Sequence, residues 1–312
     1  MFKHAQLAQL VERLLDVERV SGSSPLLCTK GFWVRTQKPF YYNRAFLHNR
    51  ALLNIIGDTM KKPDRESQNI LIFFVAVIVL SVGSLMLHIF VFTKIGDYGL
   101  SFVQVIAPPL AVLFVMLIRR DKGFNAEILN RFTTTKKELT YSAVVPFALA
   151  LVYCAVALLL LAFGQPFSTW TSPSIPLALL FMLLGCVCEE IGWRVFLLPA
   201  LHRKFSLLTA SIIVGVFWGM WHLNFDDGPL GFLIYTLSTT LISVAMAWLS
   251  VKNGYRLWSV TAFHFFMNLF TRLFLFGRFS YLTFVIEACL FAVIVTMLFL
   301  CDKKTFLSKR GD

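Results

Sequence analysis

Three apolar stretches of this chain, each long enough to cross a bilayer, carry groups that hydrocarbon excludes. Glu189, Glu190 and Arg194 lie in one, His222 closes the next, and His264 with Asn268 lies in a third. An ionisable side chain at membrane depth is costly and marks a functional position by default. The three stretches together predict a site that uses water inside the bilayer.

The rest of the chain agrees with a membrane setting. A 57% apolar composition and a mean hydropathy of +0.71 over 312 residues exclude a soluble domain of ordinary surface. Runs of about 18 or more apolar residues reach across the hydrocarbon as helices. They fall near 69–92, 99–118, 140–163, 174–200, 206–223, 229–250, 257–276 and 280–301. The expected fold is therefore an all-α polytopic bundle of about eight transmembrane helices.

Charge sets the orientation. Of 29 Lys and Arg, all but Lys94, Arg272 and Arg278 fall in alternate connections, with Arg194, Arg203 and Lys204 counted to one of them. Basic residues collect on the cytoplasmic side, which predicts both termini in the cytoplasm and a multi-pass protein of the cell membrane. The same rule, with attraction to anionic headgroups of the lipid bilayer, accounts for the +12 net charge without a nucleic-acid partner.

Residues 1–59 differ in composition from the remainder of the chain. Ala8 to Leu15 and then Gly22-Ser23-Ser24-Pro25 read like a transfer-RNA gene translated as protein, with Met60 before the first span as the natural start. The competing expectation is an amphipathic helix at 5–19 lying on the membrane. The functional core is expected over 60–312. Cys28 belongs to the N-terminal segment and the other five cysteines lie in or beside apolar spans without a C-x-x-C pair, so they read as small core residues. Isolated Glu287 and His88 read as groups paired across helices. Asp226-Asp227-Gly228-Pro229 reads as a turn, and 121–139 as an ordinary connection whose apolar residues suit the membrane surface.

Two adjacent carboxylates at depth need different roles. On a helix Glu190 and Arg194 stand at i, i+4 and share a face, so they can neutralise one another. Glu189 is turned about 100° away and is free to act as a general base. Gly215 and Gly219 form a G-x-x-x-G face that admits a close partner helix. His222 follows on roughly the same face. His264 and Asn268, again at i, i+4, can hold a water or a metal, or donate to a developing oxyanion.

The order E-E-x-x-x-R, then an aromatic-x-x-x-His, then H-x-x-x-N resembles the CPBP family of intramembrane proteases, which includes the CAAX prenyl endopeptidases, the Abi proteins and the lysostaphin-resistance proteins. The motif region spans 174–270. The resemblance implies that Glu189 activates water, that His222 helps bind or polarise it, and that His264 and Asn268 hold a metal or form the oxyanion hole. Glu190 and Arg194 would be a supporting ion pair. The family's second motif usually begins with Phe, where this chain has Trp218; the change is expected to act through packing and not through chemistry.

Zn2+ or another divalent metal on Glu189, His222 and His264 would suit a hydrolase, because it lowers the pKa of bound water; a metal-free mechanism uses the same residues. The expected partner is a membrane protein or peptide substrate, C-terminally processed or prenylated if the prenyl endopeptidases are the guide. The alternative is a non-proteolytic bacteriocin-immunity or scaffold protein of the same fold, against which the full set of buried polar residues argues. A transporter with a midplane site is disfavoured by the lack of paired Gly/Pro-interrupted repeats.

Overall fold

A computed structural model describes residues 64–87, 104–165, 174–274 and 281–311. The expectations for 1–59, His88, Lys94 and Arg278 lie outside the described residues. In chain order the helices are α1 (Arg65–Leu87), α2 (Ala107–Arg119), α3 (Lys122–Asn130), α4 (Lys136–Ala162) and α5 (Ile175–Glu190). A π-helical turn comes next over Ile191–Leu197 and leads into the short α6 (Leu198–His202). Then come α7 (Leu207–Trp221), α8 (Gly228–Lys252), α9 (Leu257–Phe274), α10 (Tyr281–Cys301) and the short α11 (Lys303–Leu307). Each expected span is matched by a helix, and no strand occurs among the described residues.

The helices are unequal. Arg65–Ser84, Lys136–Ala162, Ile175–His202, Gly228–Lys252 and Tyr281–Cys301 are long and apolar enough to cross a membrane. Helices α2 and α7 have only 13 and 15 residues, and α9, with His264, Asn268 and Arg272 among its 18, is less apolar. The polarity pattern is that of a membrane bundle. Phe147 and Leu151 are 75% and 74% exposed on α4, whereas Ser211, Ser238, Ser243 and Thr240 are buried between helices. A large apolar exterior of this kind needs lipid around it.

Helices α7 and α8 approach most closely where the sequence is smallest. A Cβ on Gly215 would stand 2.6 Å from the Thr240 Cα, and one on Gly219 would stand 2.9 Å from the Thr236 Cα. The expected small face is thus used against α8, whose Thr and Ser residues keep the opposing surface low. The π turn is held in the same way: a Cβ on Gly192 would lie 2.4 Å from the Pro108 Cβ of α2.

Helix α9 is anchored at its start by a carboxylate from another helix. Glu138, fully buried in the first turn of α4, accepts hydrogen bonds from the backbone N–H groups of Trp258 (2.8 Å) and Ser259 (3.3 Å). The Leu257 N–H is taken by the Arg131 carbonyl at 3.0 Å. Three of the four donors that a helix start leaves without intrahelical partners are thereby satisfied, and a negative charge sits at the positive end of the dipole.

The connection at 121–139 is more than a surface loop. Asp121 caps α3 by accepting from the Phe124 N–H at 3.0 Å, and Phe124 and Ile128 are buried. Glu127 gathers Arg131 (2.5 Å), Arg203 (2.8 Å) and Arg310 (2.7 Å) from three parts of the chain. Arg310 reaches it because the C-terminal segment folds back, its N–H on the His202 carbonyl and the Ser308 carbonyl taking the Leu207 N–H. The turn at Gly228, with φ +72°, begins α8 as expected.

Gly215→Ala is expected to lower stability by about 1–3 kcal/mol, because Thr240 backbone must shift. Gly83→Ala, where no atom lies within 4 Å, serves as the neutral control. Unfolding midpoints in detergent compare the two, and equal midpoints would contradict the close contact. The Glu127 cluster carries a pH dependence. Burial raises the Glu127 pKa, but the Arg310 bond and the Arg131 and Arg203 charges outweigh it and hold the carboxyl at about 2, against an ordinary 4.5. A depressed folded value means that the stabilisation is fully present above pH 4.5 and is lost as pH falls toward 2. Its size is moderated by solvent, since the carboxylate side chain is 39% exposed. Acid unfolding should show this fall, and Arg310→Ala should flatten it.

Candidate active site

The site is built on the break between α5 and the π turn. Glu189 and Glu190 end the α-helix, and the change of pitch immediately after them re-aims the next seven residues. Such π segments recur at functional sites because the extra residue displaces the backbone from regular register. Arg194 remains within reach: its Nη1 donates to Glu190 Oε1 at 2.9 Å, and both residues are 0% exposed. The sequence assigned Arg194 to a basic connection as well as to an ion pair. Its charge is buried inside the bundle, so it belongs to the second group alone.

Glu190 is shared. The same Oε1 faces His264 Nδ1 from α9 at 2.8 Å. A carboxylate at one ring nitrogen orients the imidazole and leaves Nε2 for other work. The guanidinium of Arg194 also lies 4.0 Å from the centre of the Trp218 ring on α7, and its Nη2 contacts Met246 Sδ of α8 at 3.4 Å. One carboxylate and one guanidinium therefore join five elements, α5, the π turn, α7, α8 and α9.

Glu189 faces the other way, as the 100° rotation between neighbours requires. Its Oε2 accepts from the indole N–H of Trp218 at 2.7 Å and stands 3.9 Å from His222 Nε2. That gap is too long for a hydrogen bond and suits a bridging water. His222 caps the end of α7, with Tyr235 of α8 edge-on at 5.7 Å. Asn268 makes a weak contact, Nδ2 to Cys186 Sγ at 3.6 Å.

Glu189, His222, His264 and Asn268 line one cavity of about 120 Å³. Straight spans of equal length would put His222 near the far end of its helix and His264 nearer the cytoplasm. The short α7 and the close Trp218 to His264 ring contact, 5.1 Å between centres, bring them to the same level. Trp218 corrects the expectation that an aromatic change at this position matters only for packing, because the indole supplies a hydrogen bond to Glu189 that Phe has no atom to make.

Sequence reasoning also undervalued Glu287. It is paired across helices, with the Tyr153 hydroxyl of α4, yet both residues line the cavity that contains Glu189. The available signal was a lone carboxylate in the middle of an apolar span. Cys186 is buried beside Asn268, and Cys188 is half-buried.

A metal held by Glu189, His222 and His264 requires the three side chains to converge. Glu189 Oε2 is engaged by Trp218, and His264 Nδ1 by Glu190. Among the described residues no three His, Cys, Asp or Glu side chains are grouped to ligate one ion. Glu189 and His264 each keep a second atom, the other carboxylate oxygen and Nε2, that a water or a metal would use.

Residues 170–270 match the family described as Type II CAAX prenyl endopeptidase Rce1-like. A relative in Methanococcus maripaludis, CAAX prenyl protease 2, is 25% identical over 241 residues, covering 70% of this chain and 88% of that protein. The matched region holds every motif residue of the site.

Removing Arg194 should leave Glu190 buried with only His264 to answer its charge. Arg194→Met is expected to cost about 3–5 kcal/mol, and adding Glu190→Leu to recover part of it. Thermal unfolding in detergent measures both, and an unchanged midpoint in the single variant would show that the pair is not buried as described.

Proposed function

We propose that this chain, a member of the CPBP family of intramembrane proteases and an intramembrane endopeptidase, hydrolyses its substrate with a water activated by Glu189. The observation that carries the reading is the convergence of Glu189, His222, His264 and Asn268, from α5, α7 and α9, on one small buried cavity.

A water between Glu189 and His222 gives its proton to the carboxylate as its oxygen attacks the scissile carbonyl carbon. The carbonyl oxygen gains the negative charge, and N–H donors from His264 and Asn268 stabilise it, an effect that grows in a poorly solvated site. Collapse of the tetrahedral intermediate breaks the C–N bond. The proton held by Glu189 passes to the departing amine, which restores the carboxylate. Glu190 and Arg194 touch no reacting atom in this scheme; they fix His264 and Trp218. No step is routed through a metal.

The name of the Methanococcus maripaludis relative supports a substrate class. A membrane-associated protein or peptide cut near a lipidated C-terminus fits a cavity enclosed by helices, with a prenylated CAAX peptide as the first probe. We place the protein in the cell membrane with both termini cytoplasmic, on the distribution of Lys and Arg. That orientation puts Glu127 and its arginines on the cytoplasmic side.

Glu189→Gln keeps size and hydrogen-bonding capacity but removes the base. It is expected to lower cleavage by on the order of a thousand-fold while the protein still reaches the membrane. Protein termini mapped in membranes carrying wild type or Glu189→Gln at equal abundance provide the test. Termini that vanish in the variant identify the substrate; an active Glu189→Gln protein would end the reading.

A further inference from the structure

A carboxylate on a flexible glutamate side chain has several rotamers to choose from, and a base must have one of its oxygens at the water. In this site the choice is made by a residue outside the usual family pattern. The Trp218 N–H, the only donor an indole has, meets Glu189 Oε2 at 2.7 Å. Trp218 is 2% exposed and cannot swing away. Arg194 covers one face at 4.0 Å, and His264 stands against it in a T-shaped contact.

We propose that Trp218 is a positioning residue that fixes Glu189 through Oε2, the oxygen that also stands 3.9 Å from His222 Nε2, and so holds the carboxylate against the water that the two residues share. The bond is charge-assisted, so it is short and directional. Its donor is held by the guanidinium that also binds Glu190, and Glu190 orients His264. The base and the oxyanion donor are therefore set by one connected group. A phenylalanine at 218 keeps the stacking face for Arg194 and loses the N–H, so the cost of losing it falls on the placement of Glu189.

The inference rests on Glu189 being the base, and its test separates the two. Trp218→Phe removes the donor, and replacement of Trp218 by benzothienylalanine, introduced by stop-codon suppression, removes it while keeping the two-ring shape. With a farnesylated, internally quenched CAAX peptide in detergent micelles, both variants are expected to lose about ten- to a hundred-fold in kcat. KM should stay within about two-fold, and the benzothienyl protein should keep its unfolding midpoint. A benzothienyl protein with wild-type kcat would overturn the proposal. In 15N-tryptophan-labelled protein the Trp218 indole signal, assigned by its absence in Trp218→Phe, should move in Glu189→Gln. An unmoved signal would also overturn it, whether or not the peptide is cut. A moved signal together with an active Glu189→Gln protein would support the contact and instead remove Glu189 as the base.

Discussion

A carboxylate deprived of water must have its charge answered by protein, and Glu190 is the point at which this bundle meets that requirement. Its Oε1 takes both Arg194 and His264, and Arg194 goes on to cover Trp218. Breaking such a buried pair costs far more than forming it gains, so the pair contributes specificity of arrangement more than net stability. The elements it joins are the end of α5, the π turn, α7, α8 and α9, and Glu189, His222, His264 and Asn268 lie on or at the end of three of them.

The scaffold around this charge is made from two kinds of contact that lipid does not weaken. Close approach of α7 and α8 at Gly215 and Gly219 brings in dispersion where the hydrophobic effect is missing. The Glu138 carboxylate on the first N–H groups of α9 fixes the height and rotation of the helix that carries His264 and Asn268. Glu127 gathers Arg131, Arg203 and Arg310, so the end of α3, the connection between α6 and α7 and the returning C-terminal segment are bound to one another.

The sequence carried those parts of the site whose logic is local. The i, i+4 pairs, the small face of α7 and the opposed directions of Glu189 and Glu190 follow from helical spacing, and each is found in the structure. Longer-range relations were hidden. Nothing in the spacing of Trp218 says that its N–H meets a carboxylate 29 residues away. Glu138 resembles an ordinary first-turn acid until α9 is seen above it, and Glu287 appears isolated until α4 and α8 enclose it with the catalytic group. Apolar runs located the spanning helices but not their unequal lengths or the short helices between them, because hydropathy reports where a helix prefers lipid and not where it stops against its neighbours.

The adjacent glutamates divide the work by rotation alone. Glu190 is turned into the bundle, where Arg194 and His264 meet its Oε1. Glu189 lines a cavity, and the indole N–H of Trp218 holds the oxygen that stands nearest His222. In a low-dielectric interior a fixed donor is worth more than in water. Placing the structural acid beside the chemical one lets one framework serve both: the group that neutralises Glu190 is the group that immobilises the indole on which Glu189 rests.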